Sequence, residues 1–264
     1  MVAYSFAAID VPGAAFTNAS DINNAGQVVG FYADPAGREH AFLDTGGAFV
    51  PFDVPGALST SALGINDLGQ IVGFYADPAG REHAFLEAGG AFVPFDVPGA
   101  LYTNASGINN AGQVVGLYAD AAGREHGFLE AGGAFVPFDV PGAVRTNAFD
   151  INEAGQIVGS YYDAAGREHG FLEAGGAFAT IDVPGAFYTG ALGINNAGQV
   201  VGLYADAAGF EHGFLYAGGA FAPVEVLAAI DTDASGINDA DQVVGVYHDA
   251  VGHAHGFFGA PLLV

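Results

Sequence analysis

The chain has 264 residues, 51% of them hydrophobic, and a formal net charge of −24, with five arginines, no lysine and no cysteine. This charge repels phosphate backbones and anionic membrane surfaces, so it excludes nucleic acid as a partner, and self-repulsion favours a monomer. The lack of cysteine excludes disulfides and thiolate metal sites, and no apolar run approaches the ~18 residues that a membrane-spanning helix needs.

One phrase of 43 residues occurs six times without insertion or deletion. An Asp-Val-Pro-Gly motif, an Ile-Asn pair and a histidine each recur at this interval. The motif starts at Asp10, Asp53, Asp96, Asp139 and Asp182, with a decayed copy at Glu225; the pair starts at Ile22, Ile65, Ile108, Ile151, Ile194 and Ile237; the histidines are His40, His83, His126, His169, His212 and His255. Such a period indicates a repeat architecture.

Each copy contains four short segments that are rich in Val, Ile, Phe and Tyr and have no helical period. In the copy that covers residues 46–86, these segments are 48–53, 60–66, 70–77 and 82–86. Four antiparallel strands repeated at about this interval are typical of one blade of a β-propeller.

The turns between these segments are also predicted. Residues 66–70 resemble a type I turn that is closed by a glycine in the left-handed region. Asp241 replaces this glycine in the sixth copy, and aspartate tolerates positive φ better than most residues. Residues 77–80 and 88–90 favour two further hairpins, so each copy is predicted to fold as a four-stranded meander.

We therefore predict an all-β fold, a six-bladed β-propeller with four antiparallel strands per blade, as a single domain over residues 1–264. Residues 5–10 align with residues 48–53, and the last copy lacks this segment. Residues 1–10 are therefore expected to complete the sixth blade and to close the ring. A solenoid, the structural alternative, needs atypical polar caps at both ends, and the sequence has none.

Proline identifies the outermost strand of each blade, because proline cannot donate a hydrogen bond to a neighbouring strand. It occurs in the Phe-Val-Pro-Phe type of segment at Pro51, Pro94, Pro137 and Pro223. The Thr-x-Ala-x-Gly-Ile-Asn segment has small residues and is predicted to lie innermost, beside the axis. We expect Gly30, Gly73 and Gly116, in the next strand, to let neighbouring sheets approach closely.

The motif at residues 64–73, Gly-Ile-Asn-x-x-Gly-Gln-Ile-Val-Gly, followed by His-Ala-Phe-Leu at 83–86, resembles the HAF repeat, a bacterial repeat associated with extracellular proteins. The resemblance covers nearly the whole chain, although later copies read His-Gly-Phe, as at His126. It implies a bacterial protein at the cell surface or outside the cell, and it implies no activity. Residues 1–6 have neither the basic start nor the apolar stretch of a signal peptide.

The hairpin between the second and third strands carries a recurring Tyr, Asp, Arg, Glu and His set, which predicts a ligand site in each blade. Arg and Glu bind sugar hydroxyls, and an aromatic ring stacks on a sugar; the chain has no Trp but eleven Tyr. The candidates are Tyr32, Asp34, Arg38, Glu39, His40, Tyr75, Asp77, Arg81, Glu82, His83, Tyr118, Asp120, Arg124, Glu125, His126, Tyr162, Asp163, Arg167, Glu168 and His169. In the alternative interpretation, Arg and Glu are solvated turn residues and His bonds a backbone carbonyl.

The sixth copy differs from the others by having three histidines. If residues 249–252 form the turn, His248 and His253 face each other across the hairpin and His255 lies on the same face. This arrangement predicts an adventitious Zn²⁺ or Ni²⁺ site at His248, His253 and His255, although drift in a terminal copy explains the same residues. No other cofactor is expected, because the six repeated histidines are predicted to lie more than ~10 Å apart, too far to share a zinc ion.

The repeated aspartates lie where one blade is predicted to lead into the next. Calcium requires about six to eight oxygen ligands that converge on one point, and the sequence contains no calcium-binding loop. We expect these aspartates to accept hydrogen bonds from turn N–H groups, and the asparagines that follow each repeated Ile to cap their hairpins in the same way.

The sequence contains no catalytic motif, and a nearly symmetric ring places like groups beside like, whereas catalysis needs dissimilar groups with different pKa values. We predict a non-catalytic binding or scaffold module that presents up to six near-equivalent sites to a glycan or protein ligand. The first alternative is a multivalent carbohydrate-binding lectin. The second is an enzyme with its site at the axial mouth.

Overall fold

The computed structural model describes residues 3–262, which form six separate four-stranded antiparallel sheets. Within these residues there is no helix able to cross a membrane. The strands are β1 (Tyr4–Ile9), β2 (Phe16–Ile22), β3 (Val28–Ala33), β4 (Glu39–Asp44), β5 (Phe49–Phe52), β6 (Ser59–Ile65), β7 (Ile71–Ala76), β8 (Glu82–Ala88), β9 (Ala91–Phe95), β10 (Tyr102–Ile108), β11 (Val114–Ala119), β12 (Glu125–Ala131), β13 (Ala134–Phe138), β14 (Arg145–Ile151), β15 (Ile157–Tyr162), β16 (Glu168–Ala174), β17 (Ala177–Ile181), β18 (Tyr188–Ile194), β19 (Val200–Ala205), β20 (Glu211–Ala217), β21 (Ala220–Val224), β22 (Asp231–Ile237), β23 (Val243–His248) and β24 (Ala254–Pro261).

The sheets form a closed ring around a central axis, and the prediction of a six-bladed β-propeller is confirmed. Blade 1 is the sheet β2-β3-β4-β5, blades 2 to 5 follow in chain order, and blade 6 has the order β1-β24-β23-β22. The first strand of each blade lies innermost, because β2, β6, β10, β14, β18 and β22 each contact the first strands of both neighbouring blades.

The N-terminal strand completes the last blade, as the alignment of the copies predicts. Strand β1 pairs with β24 in register from Tyr4 opposite Pro261 to Ile9 opposite Gly256. Residues 1 and 2, which the prediction also assigns to this blade, lie outside the described residues. The two ends of the chain therefore share one sheet, and this pairing closes the ring.

The prolines occupy edge strands, which confirms the prediction that the proline-containing segment is the outermost strand of its blade. Pro51, Pro94, Pro137 and Pro223 lie in β5, β9, β13 and β21, each the outermost strand of its blade. An edge strand needs no N–H on its solvent side, and a proline there discourages pairing with another chain.

Each inner strand contains a β-bulge that the sequence patterns miss. In blade 2, Ala62 pairs with Gly73 and Gly64 with Val72, so Leu63 is the extra residue. A Cβ on Gly73 would collide with the backbone carbonyl of Ser61 in the adjacent strand. We predicted that this glycine lets the neighbouring sheet approach closely, and this prediction is wrong. Gly73 instead allows the close approach of the bulged strand in its own sheet.

The hydrophobic core lies between blades and repeats with them. Between blades 1 and 2, Val29 and Ala41 of one sheet pack against Ala62, Ile65 and Phe85 of the next. The six phenylalanines equivalent to Phe85 are all fully buried: Phe42, Phe85, Phe128, Phe171, Phe214 and Phe257. Burying one such side chain contributes roughly 2–3 kcal/mol, so each joint between blades has a strong apolar contribution of its own.

A closed ring of hydrogen bonds, here called the asparagine ring, surrounds one mouth of the axis. Each buried asparagine of the Ile-Asn pair donates from Nδ2 to the backbone carbonyl of the equivalent asparagine in the next blade at 3.0–3.2 Å. Its Oδ1 accepts two N–H groups of its own turn, as Asn66 does from Leu68 and Gln70. The predicted caps are confirmed, and the contacts between blades are additional. The members are Asn23, Asn66, Asn109, Asn152, Asn195 and Asn238.

Candidate functional site

The two faces of the propeller differ in the loops that they carry. The lower face carries the asparagine ring. The upper face carries the turns between the second and third strands, such as residues 77–81, and the Val-Pro-Gly connections that lead from one blade to the next. All of the predicted ligand residues therefore lie on or near the upper face, at the turns or at the strand ends beside them.

A Tyr, His and Asp unit repeats on this face. In blade 2, Nδ1 of His83 lies 2.7 Å from a carboxylate oxygen of Asp96, and Nε2 lies 3.4 Å from Asp77. The ring of Tyr75 stacks on the imidazole with 5.4 Å between centroids. Only 16% of the His83 side chain is exposed. The histidine therefore joins its turn to the connection that leads into the next blade.

This pairing replaces two of the predicted contacts. The histidine bonds carboxylates rather than a backbone carbonyl, and Asp96 binds the histidine rather than the turn, because the N–H of Val97 donates to Thr103 Oγ1 at 3.1 Å. A different aspartate has the predicted capping role in a different turn: Asp77 caps the hairpin at residues 77–81, where its Oδ1 accepts the N–H groups of Arg81 and Ala79. The hydrogen bond from the backbone N–H of Arg81 is the largest influence that lowers the pKa of Asp77.

The glutamate of the predicted set points away from the histidine. Glu82 and His83 are adjacent in β8, so their side chains lie on opposite faces of the sheet. Glu82 accepts a hydrogen bond from Asn104 Nδ2 at 3.1 Å, on the inner strand of blade 3. The predicted set is thus divided: Tyr, Asp and His satisfy one another, and Arg and Glu face the joint between blades.

Arginine lies along the connection to the next blade. The guanidinium of Arg81 donates to the backbone carbonyls of Ala100 and Leu101 at 2.9 and 3.0 Å. Arg38 and Arg124 have the same position in blades 1 and 3, and each also contacts the aspartate of the connection at 3.3 Å. These three arginines therefore reach from one blade onto the next, whereas the guanidinium of Arg167 contacts Asp163 of its own turn.

In blade 4 the predicted tyrosine is the wrong one of two neighbours. Tyr161 stacks on His169 at 5.1 Å and is the equivalent of Tyr75. Tyr162 points to the other side of the strand, where its hydroxyl donates to Glu168 at 2.7 Å and the guanidinium of Arg145 lies 4.3 Å from its ring centroid. Tyr162 therefore belongs with the Arg and Glu half of the set.

The three histidines of the sixth blade do not converge. His248 pairs with Ala254 and Tyr247 pairs with His255, so His248 does not face His253 and lies on the opposite face from His255. Nδ1 of His248 contacts Asp231 at 2.7 Å, whereas Nδ1 of His255 contacts Asp10 at 3.0 Å. Among residues 3–262, no group of three or more His, Asp or Glu side chains is arranged to hold a metal ion.

A polar depression on the upper face, here called the arginine cleft, spans blades 2 to 4 and has a volume of about 570 Å³. Its side chains come from the hairpin turn and third strand of blade 2, from the connection and first three strands of blade 3, and from the inner strand of blade 4. Tyr102 donates to Glu125 at 2.6 Å, and Arg145 donates to the same carboxylate at 3.2 Å. Burial and this hydrogen bond raise the pKa of Tyr102. The lining residues are Gly80, Arg81, Glu82, Leu101, Tyr102, Asn104, Leu117, Glu125, Arg145 and Asn147.

Sequence reasoning misses Tyr102, Asn104 and Arg145, which lie on inner strands. A signal was present: these positions vary among the six copies, whereas the residues between them do not. At the position of Tyr102 the copies carry Phe16, Ser59, Tyr102, Arg145, Tyr188 and Asp231. The residue that follows is threonine in all six copies.

The inner strands also surround a second cavity, here called the axial funnel, with a volume of about 260 Å³. It lies deeper than the arginine cleft and shares Asn104 and Leu117 with it. Its wall is mainly apolar, with serine and asparagine side chains between the large residues. The lining residues are Asn18, Ser20, Phe31, Leu63, Asn104, Ser106, Leu117, Phe149, Leu192 and Ser235.

Two half-buried carboxyl groups lie between the funnel and the asparagine ring, on the inner strands of opposite blades 1 and 4. Asp21 accepts the N–H of Ile22 at 2.8 Å and that of Ile65 in the next blade at 2.9 Å. Asp150 accepts the equivalent pair at 2.7 and 2.8 Å. Burial raises the pKa of Asp150 to about 7, and burial and the charge of Asp150 raise the pKa of Asp21.

Propellers of known structure resemble this chain at low sequence identity. AofleA from Arthrobotrys oligospora matches with a TM-score of 0.62 and 11% identity, covering 100% of this chain and 90% of that chain. The Aleuria aurantia lectin, as a mutant in complex with Fucalpha1-6GlcNAc, matches at 0.56 and 9%, covering 98% and 97%. The BP39L lectin from Burkholderia pseudomallei matches at 0.52 and 13%, covering 96% and 86%.

Identities this low show a shared fold and do not transfer a ligand or a site residue. No protein-family model matches the chain, and no curated protein matches it in sequence. The resemblance to the HAF repeat therefore stays a prediction.

Proposed function

We propose that this protein is a carbohydrate-binding lectin that holds a saccharide in the arginine cleft on its upper face. The single observation that carries the proposal is the convergence of Arg81, Glu82, Tyr102 and Asn104 from two adjacent blades. A volume of about 570 Å³ is within the usual range of small-ligand sites.

The chemistry of these side chains suits sugar hydroxyls, which both donate and accept hydrogen bonds. A guanidinium supplies donors in a fixed plane, a carboxylate supplies acceptors, and an amide supplies both. Tyr102 adds an aromatic ring, and Leu101 and Leu117 add apolar surface for the C–H side of a sugar. The rigid sheets hold these groups in place before a ligand arrives, which lowers the entropic cost of binding.

The structural neighbours support the same class of ligand. The Aleuria aurantia protein is a lectin seen in complex with a fucosylated disaccharide, and BP39L is also a lectin. Their support is limited to the class, because the identities are 9% and 13%.

The joints between blades differ, so we infer one principal site and weaker ones, in place of six near-equivalent sites. The half of the predicted set that repeats, Tyr, Asp and His, is satisfied within the protein. The half that faces the joints meets five different residue types at the first position of the six inner strands, and blades 5 and 6 carry Phe210 and His253 where blades 1 to 4 carry arginine. Weak sites at other joints would still add avidity on a multivalent glycan.

A glycan array followed by calorimetry on the best hit tests the proposal. We expect Arg81→Ala and Tyr102→Ala each to weaken binding at least tenfold, because each removes a group that contacts the ligand and about 1.4 kcal/mol corresponds to tenfold. Arg167→Ala is the matched control, since the Arg167 guanidinium folds back onto Asp163 of its own turn at 2.8 Å. An array without hits, or affinity that does not depend on Arg81 and Tyr102, would overturn the proposal.

A further inference from the structure

The six copies differ at the inner-strand positions that face the axis. Along each inner strand, the first, third and fifth residues vary, and the second and fourth are threonine and alanine in every copy. Thr60 and Ala62 are fully buried between blades. Ser61 and Leu63 project to the other side, and the equivalents of Leu63 line the axial funnel. Variation is therefore concentrated on one side of a single strand.

Exposed positions elsewhere in the chain also vary. The position just before each inner strand holds Ala15, Leu58, Leu101, Val144, Phe187 and Ile230, all of them exposed. The variation in the funnel differs from this because it lies at positions that are largely shielded from solvent. The deepest funnel position is partly or fully shielded, as at Ser106, which is 8% exposed, and it holds three residue types. These six residues are Ser20, Leu63, Ser106, Phe149, Leu192 and Ser235.

A ligand on the axis contacts all six blades at once. Six identical side chains would present a sixfold-symmetric wall, which an ordinary organic molecule cannot match. Divergence at the funnel positions removes that symmetry and yields one asymmetric site. Each of the six funnel residues is also the extra residue of the β-bulge in its strand, as Leu63 is between Ala62 and Gly64. Bulges commonly redirect side chains toward functional sites.

The resulting wall has large apolar side chains from five blades, with serines between them. Leu63, Phe149 and Leu192 come from the inner strands of blades 2, 4 and 5, and Phe31 and Leu117 come from the second strands of blades 1 and 3, where the inner residue is serine. Asn104 lies at the border with the arginine cleft. A volume of about 260 Å³ exceeds the roughly 150 Å³ of an apolar cavity that binds benzene, so the funnel admits an alkyl chain or an aryl group of more than one ring.

We propose that the axial funnel binds one alkyl or aryl group per chain, as the aglycone of a glycoside whose sugar lies in the adjoining arginine cleft. The apolar site is argued from the funnel alone, whereas the assignment of its occupant as an aglycone rests on the proposed saccharide site. The ligand class is thus an amphipathic glycoside rather than a free polar sugar.

The first experiment uses 1-N-phenylnaphthylamine, an apolar fluorescent probe, and needs no sugar. We expect one probe per chain and at least tenfold weaker binding in the double variant Leu63→Ser/Leu192→Ser. Serine is the residue that blades 1, 3 and 6 already carry at this position, so the fold tolerates it. Leu68→Ala is the matched control, because Leu68 is exposed on a lower-face turn where the other copies carry alanine.

The second experiment compares octyl and methyl glycosides of the best sugar from the array. We expect the octyl glycoside to bind at least tenfold more tightly, and we expect the double variant to abolish this advantage while methyl glycoside binding is kept. Absence of probe binding, or probe binding that ignores the two leucines, would overturn the apolar site. Equal affinity for the two glycosides would overturn the aglycone assignment. Probe binding without any sugar binding would refute the proposed function and leave the apolar site standing.

Discussion

The two ends of the central axis are built from the same six strands, but the residues at one end are identical in all six copies and those at the other end vary. At the lower mouth, six buried asparagines repeat in every blade and form a closed ring of hydrogen bonds. In the upper funnel, the six residues that lie three positions before these asparagines are serine, leucine or phenylalanine. At the lower mouth the six asparagine contacts have the same geometry, so the same residue type closes the ring at each of them. Recognising one molecule on the axis requires unlike side chains.

The difference therefore separates structure from recognition along a single strand. Residues that point between blades, such as Thr60 and Ala62, are held constant by packing in a joint that repeats six times. Residues that point to the axis have no repeated partner, and they are free to differ. Substitutions at the two kinds of position should accordingly have very different effects.

The largest expected effect is that of Gly73→Ala. A Cβ at this position collides with the backbone carbonyl of Ser61, which cannot move without breaking the bulge. We expect a loss of more than about 4 kcal/mol in the free energy of unfolding, measured by denaturant titration. Gly190→Ala is the matched control on the funnel side, where the nearest atom to an added Cβ is Leu192 Cδ2 at 3.8 Å, and it should be nearly neutral. Equal losses in the two variants would contradict the comparison.

Breaking the asparagine ring comes next. Asn109→Ala removes two hydrogen bonds that Nδ2 donates, to Gln113 and Asn152, and two N–H bonds that Oδ1 accepts. At about 1 kcal/mol for each bond, we expect a loss of about 3–4 kcal/mol in the free energy of unfolding. The neighbouring Asn110→Ala breaks only exposed contacts with Asp67 and should cost less than about 1 kcal/mol. If the two variants unfold at the same denaturant concentration, the ring does not act as a structural closure.

The smallest effect is the dependence of stability on pH, and it tests the carboxyl pair between the two regions. The pKa of Asp150 is raised to about 7 and that of Asp21 is raised by burial and by the charge of Asp150, with Asp67 adding to it. The folded protein therefore holds protons that the unfolded chain has released, and this stability is present in full below the unfolded pKa. It is lost as pH rises through about 7, so the Tm should fall between pH 5 and pH 8.

The variant Asp150→Asn should reduce the slope of Tm against pH over this range. Part of the slope should remain, because burial also raises the pKa of Asp233 to about 7. The aspartates of the upper turns, such as Asp77, have lowered pKa values, so their contribution is lost only in more acidic solution. A Tm that rises from pH 5 to pH 8, or an unchanged slope in the variant, would show that the pair is not buried as described.

The candidate site was predictable only in part. The upper-face turns, with Arg81 and Glu82, follow from the hairpin pattern of one copy. The division of the set does not, because it depends on which side of β8 each side chain takes and on what the next blade places there. Tyr102 and Arg145 could not be predicted from a motif. The pattern that identifies their strand consists of its small residues, and a position that varies among the copies is not part of that pattern.

The repeat by itself determined six blades, four strands in each, proline at the outer edge and an N-terminal strand that completes the ring. These features follow from the composition of each segment and from the number of copies, because copies of nearly the same sequence fold in the same way. Only the tertiary structure decided that His83 pairs with Asp96, that asparagines 43 residues apart bond to one another, and that the charge of Asp150 acts on Asp21 across the axis. Such contacts exist only once the ring has closed, because closure brings together residues that the chain keeps far apart.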